Sequence, residues 1–408
     1  MTGEMTRDPR INKVIVLIGD GMADLPIDAL GGATPLEAVE TPNMDALARA
    51  GSVGLSRNVP SGMEPGSDVA IMSIMGYDPG ECYTGRGPIE AASIGARIPD
   101  GFAAFRCNLI TIDGETLHDY SGGHICTEES GGLISALKSE LDSPDAEFLH
   151  GVSFRNLLMA RGDFSKLRSH APHDHLGERW VDWLPSGPGA SALLALMEKS
   201  RAVLEDHEIN RARKAAGKQP ANMIWPWSGG GAPSGAPYSK KFGLSGAVIS
   251  AVDLVQGLGI IAGLEIIKIP GATGMVDTNY EGKTEAALEA LERLDFVLVH
   301  VEGIDEAAHM ADLEMKMEGI RRFDQLVVGP IAERAKERGD CALLVLPDHP
   351  TPISIRTHTS DPVPFIAAAP GIAPCGAASF SEKTASVSGL YVPGGHNLLE
   401  LLISGSIA

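Results

Sequence analysis

The chain has 408 residues, 44% of them apolar and 21% charged, and a net charge of −20. That length exceeds what one simple core serves, so two domains are expected. The 53 acidic residues against 33 basic ones disfavour nucleic acid and anionic membrane surfaces as partners, because phosphates would be repelled, but allow a small phosphorylated substrate held by local cations.

At the N-terminus, MTGEMTRDPRINK lacks the apolar run of a secretion signal. Val14–Ile18 (VIVLI), stopped by Gly19-Asp20-Gly21, reads as a buried parallel strand. Thr41–Gly51 reads as a helix capped by Thr41, with Pro42 in its first turn and Gly51 as its stop. A further helix is predicted to begin near Ser67. Residues 85–240 mix short strands with glycine- and proline-rich loops, and WPWSGGGAPSGAP at 225–237 reads as a flexible one.

The most membrane-like stretch, 247–269, is broken by Asp253, Gln256 and Glu265, and predicts a buried helix followed by a strand at Ile266–Ile269. A helix at Lys283–Arg293, a strand at Phe296–Val301 and a largely helical 311–338 follow. Strands at Ala342–Leu346 and Val363–Ala368 complete the alternation. The expectation is a doubly wound α/β sheet domain from residues 1–84 and 241–408, with a smaller α+β domain inserted at 85–240. Cys82, Cys107, Cys126, Cys341 and Cys375 are widely spaced, without a CxxC pair, which fits reduced thiols in a cytoplasm.

Residues of metal-ligand type recur at four places near the ends of predicted strands. Asp20 follows VIVLIG, Asp305 and His309 follow FVLVHVEG, Asp348-His349 follow ALLVLP, and His358 comes nine residues after His349. Open α/β sheets form their sites at such strand ends. The four-residue spacing of Asp305 and His309 puts both on one helical face. An aspartate after a strand also caps helices, but recurrence at strand ends of one sheet favours metal binding. Carboxylates mixed with imidazoles suit manganese or zinc better than magnesium. Ser67, in GMEPGSDVAIMSIMG, is placed at a helix N-terminus, where it is either a simple cap or, beside a metal, a nucleophile. Lys241, Arg86 and Arg106 are the candidate cations for a phosphorylated substrate.

The segments IGDGMADLP (18–26), PGSDVAIMSIMGYDP (65–79), GRGPIEAA (85–92), FRCN (105–108), PGATGMVDTNYEGK (270–283), HVEGIDEAAHMAD (300–312) and LPDHPTPISIRTHTSDPVPF (346–365) carry a resemblance. The chain resembles the cofactor-independent phosphoglycerate mutases of the archaeal type, in the alkaline phosphatase superfamily. The resemblance implies one divalent metal on Asp20, Ser67, Asp348 and His349, and a second on Asp305, His309 and His358. Mn2+ is the first expectation, and Zn2+, Co2+ and Mg2+ are the others. It further implies a phosphoserine on Ser67, a charge-stabilising role for Lys241, and an inserted domain that binds the glycerate, with Arg86, Arg106 and His124 as binding residues.

His124 stands where an arginine is expected for that family, and WPWSGGG is similar to a bacterial branch proposed to act on homoserine. A homoserine phosphotransferase and a phosphomonoesterase are therefore the alternatives to a mutase. A non-catalytic scaffold would have lost at least one of seven ligands, and none is missing.

Overall fold

Apolar, β-branched runs with both faces buried become adjacent parallel strands. The computed structural model describes residues 7–407, and the chain divides into two units, one made of the chain up to Tyr83 together with the chain from Ser234, the other Thr84–Pro233.

The first unit holds an eight-stranded sheet. Its order is Tyr391–Val392, Ser52–Ser56, Val363–Ala368, Cys341–Leu346, Lys13–Gly19, Phe296–Val301, Gly246–Ile249 and Glu265–Ile266. Val363–Ala368 runs antiparallel to both neighbours, and every other pairing is parallel. Lys13–Gly19 lies at the centre, with Ile18 level with His300 on one side and Leu346 on the other. Helices Pro42–Ala50, Tyr280–Arg293 and Gly329–Arg338 contribute to the core on this sheet, with Met44, Ala287 and Ile331 fully buried.

Three local expectations need correction. Thr41 is the residue before the helix Pro42–Ala50, but its hydroxyl caps nothing. The buried carboxylate of Asp324 takes the free N–H of Met44 at 2.7 Å and of Asn43 at 3.3 Å, so the cap comes from a distant helix. The stretch 247–269 begins with a strand, Gly246–Ile249, before the helix Asp253–Ile261. The strand expected at Ile266–Ile269 is only Glu265–Ile266, a short edge piece. No described helix is long and apolar enough to cross a membrane.

The Thr84–Pro233 unit is an antiparallel five-stranded sheet in which Phe102–Asp113 pairs with Arg155–Arg161, Met223–Gly230 and Thr116–Asp119. Helices Thr127–Leu141 and Ala190–Leu204 share its core with Phe105, Phe148 and Trp225. Of the segment 225–237, expected to be a flexible loop, residues 225–230 belong to the strand Met223–Gly230, while 231–237 has no regular structure. The strand's glycines serve close packing: a Cβ on Gly229 would run into the Phe105 ring, and one on Gly230 into the Thr84 carbonyl.

Candidate active site

The parallel strands of the first unit deliver their carboxyl ends to one edge of the sheet. Asp20 follows the central strand, Asp348 and His349 follow Cys341–Leu346, and Asp305 and His309 lie on the helix Gly303–His309 after Phe296–Val301. Ser67 is the first residue of the helix Ser67–Ile74, and Gly66 occupies the cap position. The serine is therefore not itself the cap.

These residues converge in two sets, in each of which one ligand atom per residue lies within 4.8 Å of the others. In the first, His349 Nε2 is 3.1 Å from Asp348 Oδ2 and 3.8 Å from Asp20 Oδ1. Ser67 Oγ joins this set, 3.2 Å from His349 Nε2 and 3.5 Å from Asp20 Oδ2. In the second, His309 Nε2 is 3.0 Å from both Asp305 Oδ2 and His358 Nε2, and His358 Nε2 is 3.5 Å from Asp305 Oδ1.

The other ends of the imidazoles are tied down. Nδ1–H of His309 donates to the Arg356 carbonyl at 2.9 Å, and that of His358 to the Pro65 carbonyl at 3.4 Å. His349 Nδ1 faces Thr351 Oγ1 at 3.2 Å. Each Nε2 is thus aimed inward, the arrangement of a metal-binding histidine.

The carboxylates show the same division. Asp20 Oδ2 meets His300 Nε2 at 2.8 Å, and Asp348 Oδ1 accepts the backbone N–H of Gly21 and His349. Asp20 Oδ1 and Asp348 Oδ2 are buried without a hydrogen-bond partner among the described residues. Buried anionic oxygens left without a donor are unfavourable, and these two point at the place where His349 Nε2 converges. Their position, with oxygen and nitrogen donors, fits a divalent metal.

The electrostatics agree. Burial, then the charges of Asp348 and Asp305, push the Asp20 carboxyl well above its usual range. Burial also pushes Glu302 up to about 8, aided by Glu306 and Asp305. Burial acts the same way on Asp305, but hydrogen bonds from His309 and His358 outweigh it and hold this carboxyl well below its usual range. The bond to Asp305 raises His309 to about 9. Negative charge crowded into a buried site is relieved by a cation, which displaces the histidine proton as it enters.

The remaining predicted residues lie elsewhere. Lys241 is exposed, its Nζ 5.5 Å from the centre of the Tyr77 ring and 5.3 Å from that of Phe242. It lines a cavity of about 1040 Å³ with Asp78, Cys82, His396 and Glu400, to which neither ligand set contributes.

In the Thr84–Pro233 unit, Arg86 opens the helix Arg86–Ser93, and its N–H donates to Ser228 Oγ at 3.1 Å. Arg106 pairs with Glu90 at 3.0 Å and lies 4.4 Å over the Trp227 ring. His124 is an exposed turn residue with φ 50° whose N–H donates to Ser121. The histidine beside the arginines is His173, packed edge-on to Trp227 at 5.4 Å. Burial lowers its pKa, and the charges of Arg106 and Arg86 add to that.

His300, Thr351 and His173 were missed from sequence. His300 was detectable as the one ionisable residue in FVLVHV. Thr351 and His173 carry no such signal, since a threonine after a site motif and a histidine in a loop are both commonplace.

Parallel strands that gather buried carboxylates, imidazoles and a helix-start serine at one sheet edge define a metal-binding α/β enzyme. A family model described as 2,3-bisphosphoglycerate-independent phosphoglycerate mutase matches residues 48–210. A protein of that name from Methanothrix thermoacetophila is 48% identical over 96% of this chain and 100% of its own length. The chain belongs to the 2,3-bisphosphoglycerate-independent phosphoglycerate mutase family. Among solved structures, a protein of Pyrococcus horikoshii matches with a TM-score of 0.82 at 28% identity, covering 97% of both chains. The cofactor-independent phosphoglycerate mutase of Thermoplasma acidophilum matches with a TM-score of 0.69 at 26% identity, covering 97% of this chain and 100% of that one.

Proposed function

We propose that this chain interconverts 3-phosphoglycerate and 2-phosphoglycerate through a phosphoserine on Ser67, with two divalent ions, Mn2+ foremost. The observation that carries this is the position of Ser67 Oγ, within 3.2–3.5 Å of two members of a buried ligand set. A serine serving only as a helix cap has no reason to face an imidazole and a carboxylate. Asp20, Ser67, Asp348 and His349 would hold one ion, and Asp305, His309 and His358 the other. When bound, the ions activate the serine hydroxyl and neutralise charge on the phosphoryl oxygens.

Ser67 Oγ forms its bond to phosphorus as the bond to the C3 oxygen breaks, and the departing oxygen takes up the proton that the serine gives up. Return of the phosphoryl group to the C2 oxygen reverses these steps and restores Ser67. The free N–H groups at the start of the helix Ser67–Ile74 favour the phosphate in both directions. The family resemblance is what supports assigning Arg86 and Arg106, with the neighbouring His173, to the substrate carboxylate, and Lys241 to charge on the transferring group.

The test is turnover of 3-phosphoglycerate by Mn2+-loaded protein, with 2-phosphoglycerate coupled to enolase. Ser67→Ala is expected to abolish it while leaving the ion held by Asp305, His309 and His358 in place. Phosphate release from simple esters, with no coupled signal, would replace the mutase by a phosphomonoesterase.

A further inference from the structure

Thr351 lies between the two ligand sets and touches a member of each. Its Oγ1 is 2.5 Å from Asp305 Oδ1 in one set and 3.2 Å from His349 Nδ1 in the other. The residue is fully buried. A hydroxyl has one proton, and a carboxylate oxygen so close can only accept it. The remaining lone pairs of Oγ1 therefore face His349 Nδ1, which must be the donor of that second bond. A neutral His349 protonated at Nδ1 presents Nε2 as a lone pair, which is what a metal requires.

We propose that Thr351 is a positioning residue for both metal sites at once, through one hydroxyl that orients Asp305 and fixes the tautomer of His349. The surrounding structure holds this hydroxyl in place. The Thr351 N–H donates to the Ala23 carbonyl at 3.1 Å, and its carbonyl accepts from the buried Lys316 ammonium at 2.9 Å. Gly21 leaves room for it: at φ 62°, a Cβ there would lie 2.7 Å from Thr351 Oγ1 and 2.5 Å from Asp305 Oδ1. His309 and His358 take their orientation from backbone carbonyls, whereas His349 and Asp305 take theirs from this shared side chain.

The inference rests on the two-metal reading, and the experiment separates the two. Calorimetric titration of metal-free protein with Mn2+ should show two sites in the wild type; no binding at all would sink that reading. Thr351→Val, equal in shape but lacking the hydroxyl, is expected to weaken both sites by about tenfold or more, in line with other residues that support metal ligands. Thr351→Ser should recover most of each affinity. Weakening of one site alone, or wild-type binding by the valine variant, overturns the dual role. A measurement on the unaltered protein guards against a variant that fails to fold. Nitrogen-15 spectra of the metal-free protein should show His349 protonated on Nδ1, and protonation on Nε2 alone would overturn the proposal.

Discussion

His300 Nε2 lies 2.8 Å from Asp20 Oδ2, with both side chains buried in the centre of the sheet. On its far side, His300 Nδ1 is 3.0 Å from Ser250 Oγ, which in turn accepts the Val252 N–H. The chain of bonds runs one way, from Ser250 O–H to Nδ1 and from Nε2–H to Asp20 Oδ2, and leaves Asp20 Oδ1 without a hydrogen-bond partner among the described residues. Replacing His300 by Phe should weaken Mn2+ binding at the Ser67 set by about 10–100-fold. His300→Gln, which can keep a donor toward Asp20, should recover most of it. Calorimetry checks both, and unchanged affinity in the Phe variant would reduce His300 to packing.

The cationic cluster of the Thr84–Pro233 unit gives a prediction in kinetics. Arg106→Ala and His173→Ala should each raise the KM for 3-phosphoglycerate about tenfold, with a smaller change in kcat, as loss of ground-state binding does. His124→Ala serves as the comparison, since that residue lies exposed in a turn. A larger effect at His124 than at His173 would reverse the assignment.

Lys283 is buried, and its ammonium donates to the His300 carbonyl at 2.9 Å. Burial lowers its pKa from 10.5 to about 8, against the pull of Glu302. Between those values the unfolded chain carries a proton on this lysine that the folded chain lacks. Its contribution to stability therefore rises with pH from about 8 to 10.5 and is flat below. Lys283→Met should erase that rise, of about 3 kcal/mol at most. Urea midpoints of the two proteins across the window measure it, and parallel curves would contradict it.

The ion pair of Lys316 and Asp24, 2.7 Å apart, is shut away from solvent. Lys316→Met strands the Asp24 carboxylate and should cost about 3–5 kcal/mol. The double variant Lys316→Met, Asp24→Leu should cost less, because no charge is left unpaired. Equilibrium denaturation of the metal-free proteins decides, and equal losses in both would mean that lost packing dominates.

Sequence revealed the parallel strands well because burial on both faces writes itself as unbroken β-branched runs, as in VIVLI and ALLVL. It pointed to Asp20 and to Asp348-His349 as candidate ligands because they follow those runs closely. What it hid was set by distant partners. The Asp324 cap of the helix Pro42–Ala50 comes from 280 residues away, so the nearer Thr41 drew the assignment. Gly229 and Gly230 look like loop residues until Phe105 and Thr84 are found against them. Thr351 and His300 touch ligands rather than following a motif of their own, and only their neighbours in space reveal them.

The central strand Lys13–Gly19 is flanked by Phe296–Val301 and Cys341–Leu346. On the ribosome, Asp20 therefore emerges early and waits for nearly the whole chain before Asp348 and His349 join it. A chain that stops short of His349 holds Ser67 without the imidazole that faces it. Ser67 and His349 are 282 residues apart in the chain, so this set comes together only once that span has been made.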